Sequence, residues 1–192
     1  MVERVNRREQ IIETAAQLFM EKGYTATSVR EITDEVGCTE AALYYHFKDG
    51  KRELLGAVCE SFAPDFMDII ESCRDAESIS DFVMRFGMAG AERFTAEKNE
   101  RMRWIIGDFP RFTEEEKAVF HSKHKQFHAG LREILERLIG DPEKAEKAAW
   151  LVFCTGFGYG QLFLNLELGN QVDFTPVDLM SILGEGLRCL YE

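Results

Sequence analysis

The sequence reads as an all-α protein of about nine helices, and three observations lead there. Apolar residues recur every three or four positions in segment after segment, as amphipathic helices require. Capping residues, glycines and prolines stand at the edges of those segments, where helices start and stop. No stretch of useful length alternates apolar and polar residues as a strand would, and no segment repeats. At 192 residues, 45% hydrophobic and 30% charged, the chain is long enough for a small domain and a larger one. The expected division is an N-terminal three-helix domain over residues 1–50 and a helical remainder over 51–192.

The first helix spans residues 8–22, with Ile11, Ile12, Ala15, Leu18 and Phe19 on one face and Gly23 as its stop. After the loop Tyr24 to Thr27, Ser28 and Glu31 form a capping box for a second helix, in which Val29, Ile32 and Val36 share a face. Gly37 ends it. Thr39 caps a third, very short helix, whose Leu43 and Phe47 lie one turn apart and face inward.

Two helices joined by a short turn containing glycine describe a helix-turn-helix, whose second helix enters the DNA major groove. The outward face fits that role. Ala41 and Ala42 allow close approach, while Tyr44, Tyr45, His46, Lys48 and Lys51 offer aromatic donors and positive charge. Residues 9–55 resemble the tetracycline-repressor (TetR) family of bacterial transcription regulators. The matching residues are Ala15, Leu18, Phe19, Gly23, Tyr24, Arg30-Glu31-Ile32, Gly37 and the run Leu43-Tyr44-Tyr45-His46-Phe47-Lys48. The resemblance implies phosphate contacts from Thr39, Tyr44, His46 and Lys51, and base-edge positions for Arg30, Glu40, Ala41 and Tyr45. Ser28, Ala42 and Lys48 complete the expected DNA-binding set. Two positions depart from the common pattern: Glu40 stands where a Lys, Gln or small polar residue is usual, and the turn from Lys48 to Lys51 is one residue longer.

A fourth helix starts near Lys51 with Leu54, Leu55, Val58 and Phe62 as its stripe, and Pro64 is placed to kink or break it. It is expected to begin at the DNA and end in the C-terminal core. Further helices are expected over 78–94, with Ile79, Phe82, Val83 and Phe86, and over 101–109, with Met102, Trp104, Ile105 and Ile106. Thr113 and Glu116 form another capping box for a helix running to about Ile139. Asp141-Pro142 opens a long one reaching about Leu168, roughly 40 Å at 1.5 Å per residue. Thr175-Pro176 starts the last, which carries Val177, Met180, Ile182, Leu183, Leu187 and Leu190.

The net charge of −11 excludes a protein that coats nucleic acid nonspecifically, since that mode needs many Lys and Arg to release counterions. Residues 1–56 are the less acidic part, with 8 Lys and Arg against 10 Asp and Glu; the remainder has 15 against 24. The five cysteines are widely spaced and form no C-x-x-C pair, which favours a reduced, cytoplasmic chain over disulfides or a zinc site. Arg4, Arg7, Arg8 and Glu9 interrupt the start, so no signal peptide is read there. The apolar stretch 148–168 contains Gln161, Asn165, Glu167 and three glycines and reads as a buried helix, not a membrane span.

Two further constellations carry chemistry. His121, His124 and His128 fall on or beside the apolar stripe of their helix, either as a polar patch in a ligand pocket, as a metal site, or as core histidines with partners. The expected site draws them together with Trp104, Trp150 and Phe157, with no metal or cofactor. GFGYG at 156–160 lacks the spacing and the strand of a nucleotide-binding loop, and reads as a groove for helix packing, within the chain or across a dimer.

The combined expectation is a ligand-responsive transcription regulator and not an enzyme. It would be a homodimer through its last two helices, a repressor released from a palindromic operator by a small hydrophobic or aromatic effector. Its two recognition helices would sit about 34–36 Å apart to reach successive major grooves. Two other readings stand beside it: a DNA-binding regulator whose C-terminal domain only dimerises or docks a protein, and an enzyme using the three histidines.

Overall fold

In the computed structural model, residues 6–61, 63–93 and 103–191 are described, and every regular element among them is a helix. They are α1 (Arg7–Lys22), α2 (Val29–Val36), α3 (Glu40–His46), α4 (Lys51–Ser61), α5 (Ala63–Cys73), α6 (Ile79–Arg93), α7 (residues 103–108), α8 (Glu114–Ile139), α9 (Pro142–Tyr159) and α10 (Pro176–Tyr191). Arg4, Phe62, Phe94, Arg101 and Met102, all used in the sequence reading, lie outside the described residues. None of the described helices is long and apolar enough to cross a membrane.

The chain divides into two compact units, and a single cut after residue 50 does not describe them. The first gathers α1 to α4 with α7 and the start of α8; the second holds α5, α6, the rest of α8, α9 and α10. Helix α4 thus goes wholly with the first unit. The helix that contributes to both is α8, with the boundary between Lys123 and His124.

In the first unit Ile11, Ala15, Phe19, Ile32, Leu43, Phe47, Leu54 and Val58 are wholly buried, joined by Trp104, Ile105 and Phe112. The helix ends are set by local chemistry. Ser28 Oγ accepts from the Glu31 backbone N–H at 3.1 Å, while the Glu31 carboxylate accepts from the Ser28 N–H at 2.8 Å. The N–H and the hydroxyl of Ser28, both donating to that carboxylate, together with the Lys22 ammonium at 3.2 Å, hold the Glu31 carboxyl down at about 2. Gly37 takes φ 69° and ψ 42°, a left-handed conformation that a side chain would penalise by about 1–2 kcal/mol.

The second unit packs Ile69, Ile70 and Cys73 of α5 with Phe82 and Val83 of α6, Leu131 and Leu135 of α8, Ala145, Ala148, Ala149 and Val152 of α9, and Met180 and Leu187 of α10. The sequence reading had no helix over 63–73. The chain restarts there because Pro64 falls in a first turn, where its missing N–H costs nothing. Arg137 Nη2 then donates to the carbonyls of Arg74 and Ala76, both at 2.9 Å, closing the α5–α6 turn. Helices α6 and α10 approach closely at Gly184, where an added Cβ would lie 3.1 Å from the Ser80 Cα. The long helix expected to Leu168 stops as an α-helix at Tyr159 and continues as a π-helix over Gly160–Asn165. Three glycines in five residues weaken α-helical geometry at this point, and the Leu166 N–H bonds the Gln161 carbonyl, five residues back, at 3.2 Å.

Candidate nucleic-acid interface

Helix α3 is positioned by what it buries. Leu43 and the following Phe47 have no solvent exposure, and Thr39 Oγ1 accepts from the Ala42 N–H at 3.2 Å. The inward anchors therefore turn Glu40, Ala41, Tyr44 and Tyr45 outward, all exposed, with Ala42 and His46 half-buried and Lys48 exposed in the turn beyond. Tyr45 is 80% exposed, and among the described residues its ring meets only that of His46, edge-on at 5.1 Å. Tyr44 lies against the turn: a Cβ on Gly50, at φ +62°, would stand 3.0 Å from its ring. Arg30 projects from α2 with its side chain 81% exposed and a 3.8 Å ion pair to Asp34.

Two expected DNA contacts are occupied by the fold. Ser28 spends its hydroxyl on the capping box. Lys51 is folded back on its own unit: Nζ donates to the carbonyls of Tyr24 and Thr27, each at 2.9 Å, and stands 4.3 Å from the centre of the Tyr24 ring. Burial pulls its pKa down, against the nearby Glu116, Asp108 and Glu31 carboxylates. In this structure the ammonium holds the loop that precedes α2. The acceptors are loop carbonyls 24 to 27 positions away, which no local pattern reveals.

Lys51 belongs to a larger tie centred on Tyr24, which the sequence reading missed. The Tyr24 N–H donates to the buried Asp108 carboxylate at 2.5 Å, and its hydroxyl donates to Glu116 at 2.6 Å. Its ring packs edge-on against Phe19 at 5.1 Å and Phe112 at 5.2 Å. Asp108 also accepts from Arg111 at 3.1 Å, and Arg52 of α4 pairs with Glu115 of α8. Burial, then the Glu116 hydrogen bond and charge, push the Tyr24 hydroxyl far above the usual tyrosine range. Burial alone would raise Glu116 too, but hydrogen bonds from Tyr24 and Thr113 outweigh it, and that carboxyl is lowered. The Thr113–Glu116 capping box was the one visible signal: it placed Glu116 at a helix start, where a carboxylate has a fixed direction.

The expected ligand residues fall into two groups. Trp104 is a core residue of the first unit, with its ring 5.6 Å from Phe19, and its indole N–H has no hydrogen-bond partner among the described residues. His121 also belongs there, 5.5 Å from the Phe109 ring. In the second unit, His124 meets Trp150 at 5.3 Å and Phe153 at 4.8 Å, while His128 lies 4.4 Å from Trp150. Phe157 stacks on Phe153 at 6.0 Å. His128 is buried; its Nδ1 is 3.9 Å from Glu146, and its Nε2 has no hydrogen-bond partner among the described residues. Burial holds this imidazole below the ordinary histidine range, although Glu146 favours the charged form. Among the described residues no three His, Cys, Asp or Glu side chains converge to hold a metal ion. Gly156 of GFGYG packs inside the chain: a Cβ there would lie 3.1 Å from the Phe86 ring, whereas one on Gly158 meets open space.

Residues 11–58 match the family model of bacterial regulatory proteins, tetR family. The chain is 36% identical over 81 residues to the HTH-type transcriptional regulator LmrA of Bacillus subtilis, covering 40% of this chain and 43% of LmrA. It is 34% identical over 76 residues to the HTH-type transcriptional repressor KstR2 of Rhodococcus jostii, covering 38% of this chain and 37% of KstR2. The chain spans less than half the length of these curated relatives. Among solved structures, GusR of Salmonella enterica superposes with a TM-score of 0.77 over 98% of both chains at 20% identity, a likeness of fold.

Proposed function

We propose that this chain, whose residues 11–58 match the family model of bacterial regulatory proteins, tetR family, is a dimeric, ligand-responsive regulator that binds operator DNA through α3 and acts as a repressor. One observation carries the DNA-binding part. A seven-residue helix with two buried anchors presents Glu40, Ala41, Tyr44 and Tyr45 to solvent, and large aromatic side chains at 45% and 80% exposure have no role in the core of this chain. In a helix-turn-helix that face lies in the major groove.

Dimerisation is supported by apolar side chains left uncovered on the last helices. Leu151 of α9 is 47% exposed, and Ile182 and Leu190 of α10 are 71% and 70% exposed. Large exposed apolar side chains on two helices support an association site there, and Gly158 and Gly186 leave open space on the same two helices for close approach. The effector site is the aromatic cluster of His124, His128, Trp150 and Phe157. A buried imidazole nitrogen without a partner costs free energy, and an effector supplying a hydrogen bond to His128 Nε2 offsets that cost. The rings around it favour a hydrophobic or aromatic molecule. Regulation then follows from differential affinity: an effector that prefers the conformation unable to span two half-sites lowers DNA affinity by that preference.

A gel shift with the DNA immediately upstream of the chain's own reading frame tests the reading, combined with native mass spectrometry of the purified protein. Retardation of that DNA by a species of dimer mass is the expected result. Monomeric protein that shifts no duplex would overturn it.

A further inference from the structure

The geometry points to Glu40 as the residue that reads a cytosine in each half-site of the operator. This inference rests on the proposed DNA-binding function and adds to it a specific base. Glu40 is the first residue of α3, directly after the Thr39 cap, and residues at the start of a recognition helix are those that reach base edges. Its side chain is exposed and makes no hydrogen bond or ion pair with any described residue. The Thr39 hydroxyl is occupied by the Ala42 N–H, and Ala41 is exposed but too small to reach past its neighbour. Glu40 is therefore the longest polar side chain at the leading end of the helix.

A carboxylate there has few partners. Phosphate oxygens repel it, so the backbone contacts that Tyr44, His46 or Lys48 can make are closed to it. In the major groove the donors on base edges are the N4 amine of cytosine and the N6 amine of adenine. Adenine carries the N7 acceptor beside its amine, so the second carboxylate oxygen would face a lone pair. A glutamine satisfies that pair with its own N–H, and a glutamate has none to offer. Cytosine has only a C–H beside its N4 amine. Adenine thus repels one oxygen of Glu40 while cytosine accommodates both, and the chemistry selects a C·G pair with cytosine on the strand facing α3.

In vitro selection from a randomised duplex library tests this and requires no operator sequence as its starting point, using the full chain as wild type, Glu40→Gln and Glu40→Ala. The wild type is expected to enrich a palindrome with cytosine at one fixed position per half-site, preferred by about ten- to a hundredfold. Glu40→Ala should lose the preference at that position alone, and Glu40→Gln should move it to adenine, with melting temperatures of both variants confirming that the domain is folded. Retention of the same cytosine in both variants would overturn the assignment. So would a gain in affinity spread evenly over all sequences, because that result makes Glu40 a repulsive neighbour of phosphate and nothing more. Failure of the wild type to enrich any sequence is a separate outcome and removes the DNA-binding function itself.

Discussion

Replacing Lys51 by methionine separates a structural lysine from a phosphate-binding one. Methionine keeps the apolar stem, so the loss is confined to the ammonium and its two 2.9 Å bonds to the carbonyls of Tyr24 and Thr27. Hydrogen bonds from a charged donor contribute about 1.5–3 kcal/mol each when well shielded. Lys51 is only half-buried, so solvent takes back part of that, and a net loss of about 2–3 kcal/mol follows. For a chain of 192 residues this lowers the melting temperature by about 5–10 °C. Circular dichroism melting gives the stability, and fluorescence anisotropy over a range of salt concentrations gives the DNA affinity. On the structure, the melting temperature falls, and binding by the remaining folded protein keeps its salt slope. An unchanged melting temperature with a slope reduced by about one ion would refute the reasoning and return Lys51 to the DNA.

Four further outcomes are expected. Tyr24→Phe removes the 2.6 Å bond to Glu116 and should cost about 1–2 kcal/mol at neutral pH. Because the folded state raises the Tyr24 pKa, wild-type stability is fully present below about pH 10 and declines above it, and urea titrations should show that decline flattened in Tyr24→Phe. His128 has the opposite sign: the fold holds the imidazole neutral, so its contribution is present above about pH 6.5 and lost on acidification, and His128→Phe should be less acid-sensitive in the same assay. Gly156→Leu should destabilise the fold through collision with Phe86, whereas Ile182→Asp should leave melting nearly unchanged but convert the dimer to monomer in sedimentation velocity.

What the sequence revealed was what short-range chemistry controls. Ser28 with Glu31, Gly37, Thr39 and the pair Leu43 and Phe47 each act within one or two turns, and all stand where their spacing put them. Partners brought from far along the chain were not legible. Asp108 reaches the Tyr24 N–H across 84 positions, and no pattern near either residue announces the other. The acceptors of Lys51 were hidden for the same reason: a lysine that opens a helix beside the recognition helix reads as a phosphate contact, and its loop carbonyls lie 24 and 27 positions away. The histidines show a different limit. His121 and His128 share a helical phase, but seven residues also separate them by about 10 Å along the axis, so one meets Phe109 and the other Trp150. Periodicity put all three on or beside one apolar stripe, yet His121 is exposed, His124 half-buried and only His128 buried. The sequence does not announce helix α5, because a proline able to end one helix here opens the next.

The central claim, that the exposed face of α3 binds DNA, is tested most directly through Tyr45, whose side chain can be removed without touching the core. Anisotropy titrations of wild type and Tyr45→Ala on the same upstream duplex should show saturable binding for the wild type. The variant should bind at least about tenfold more weakly, as expected for one lost contact of about 1.4 kcal/mol or more, at an unchanged melting temperature. Equal affinity of the two proteins at equal stability would contradict the placement of α3 in the groove.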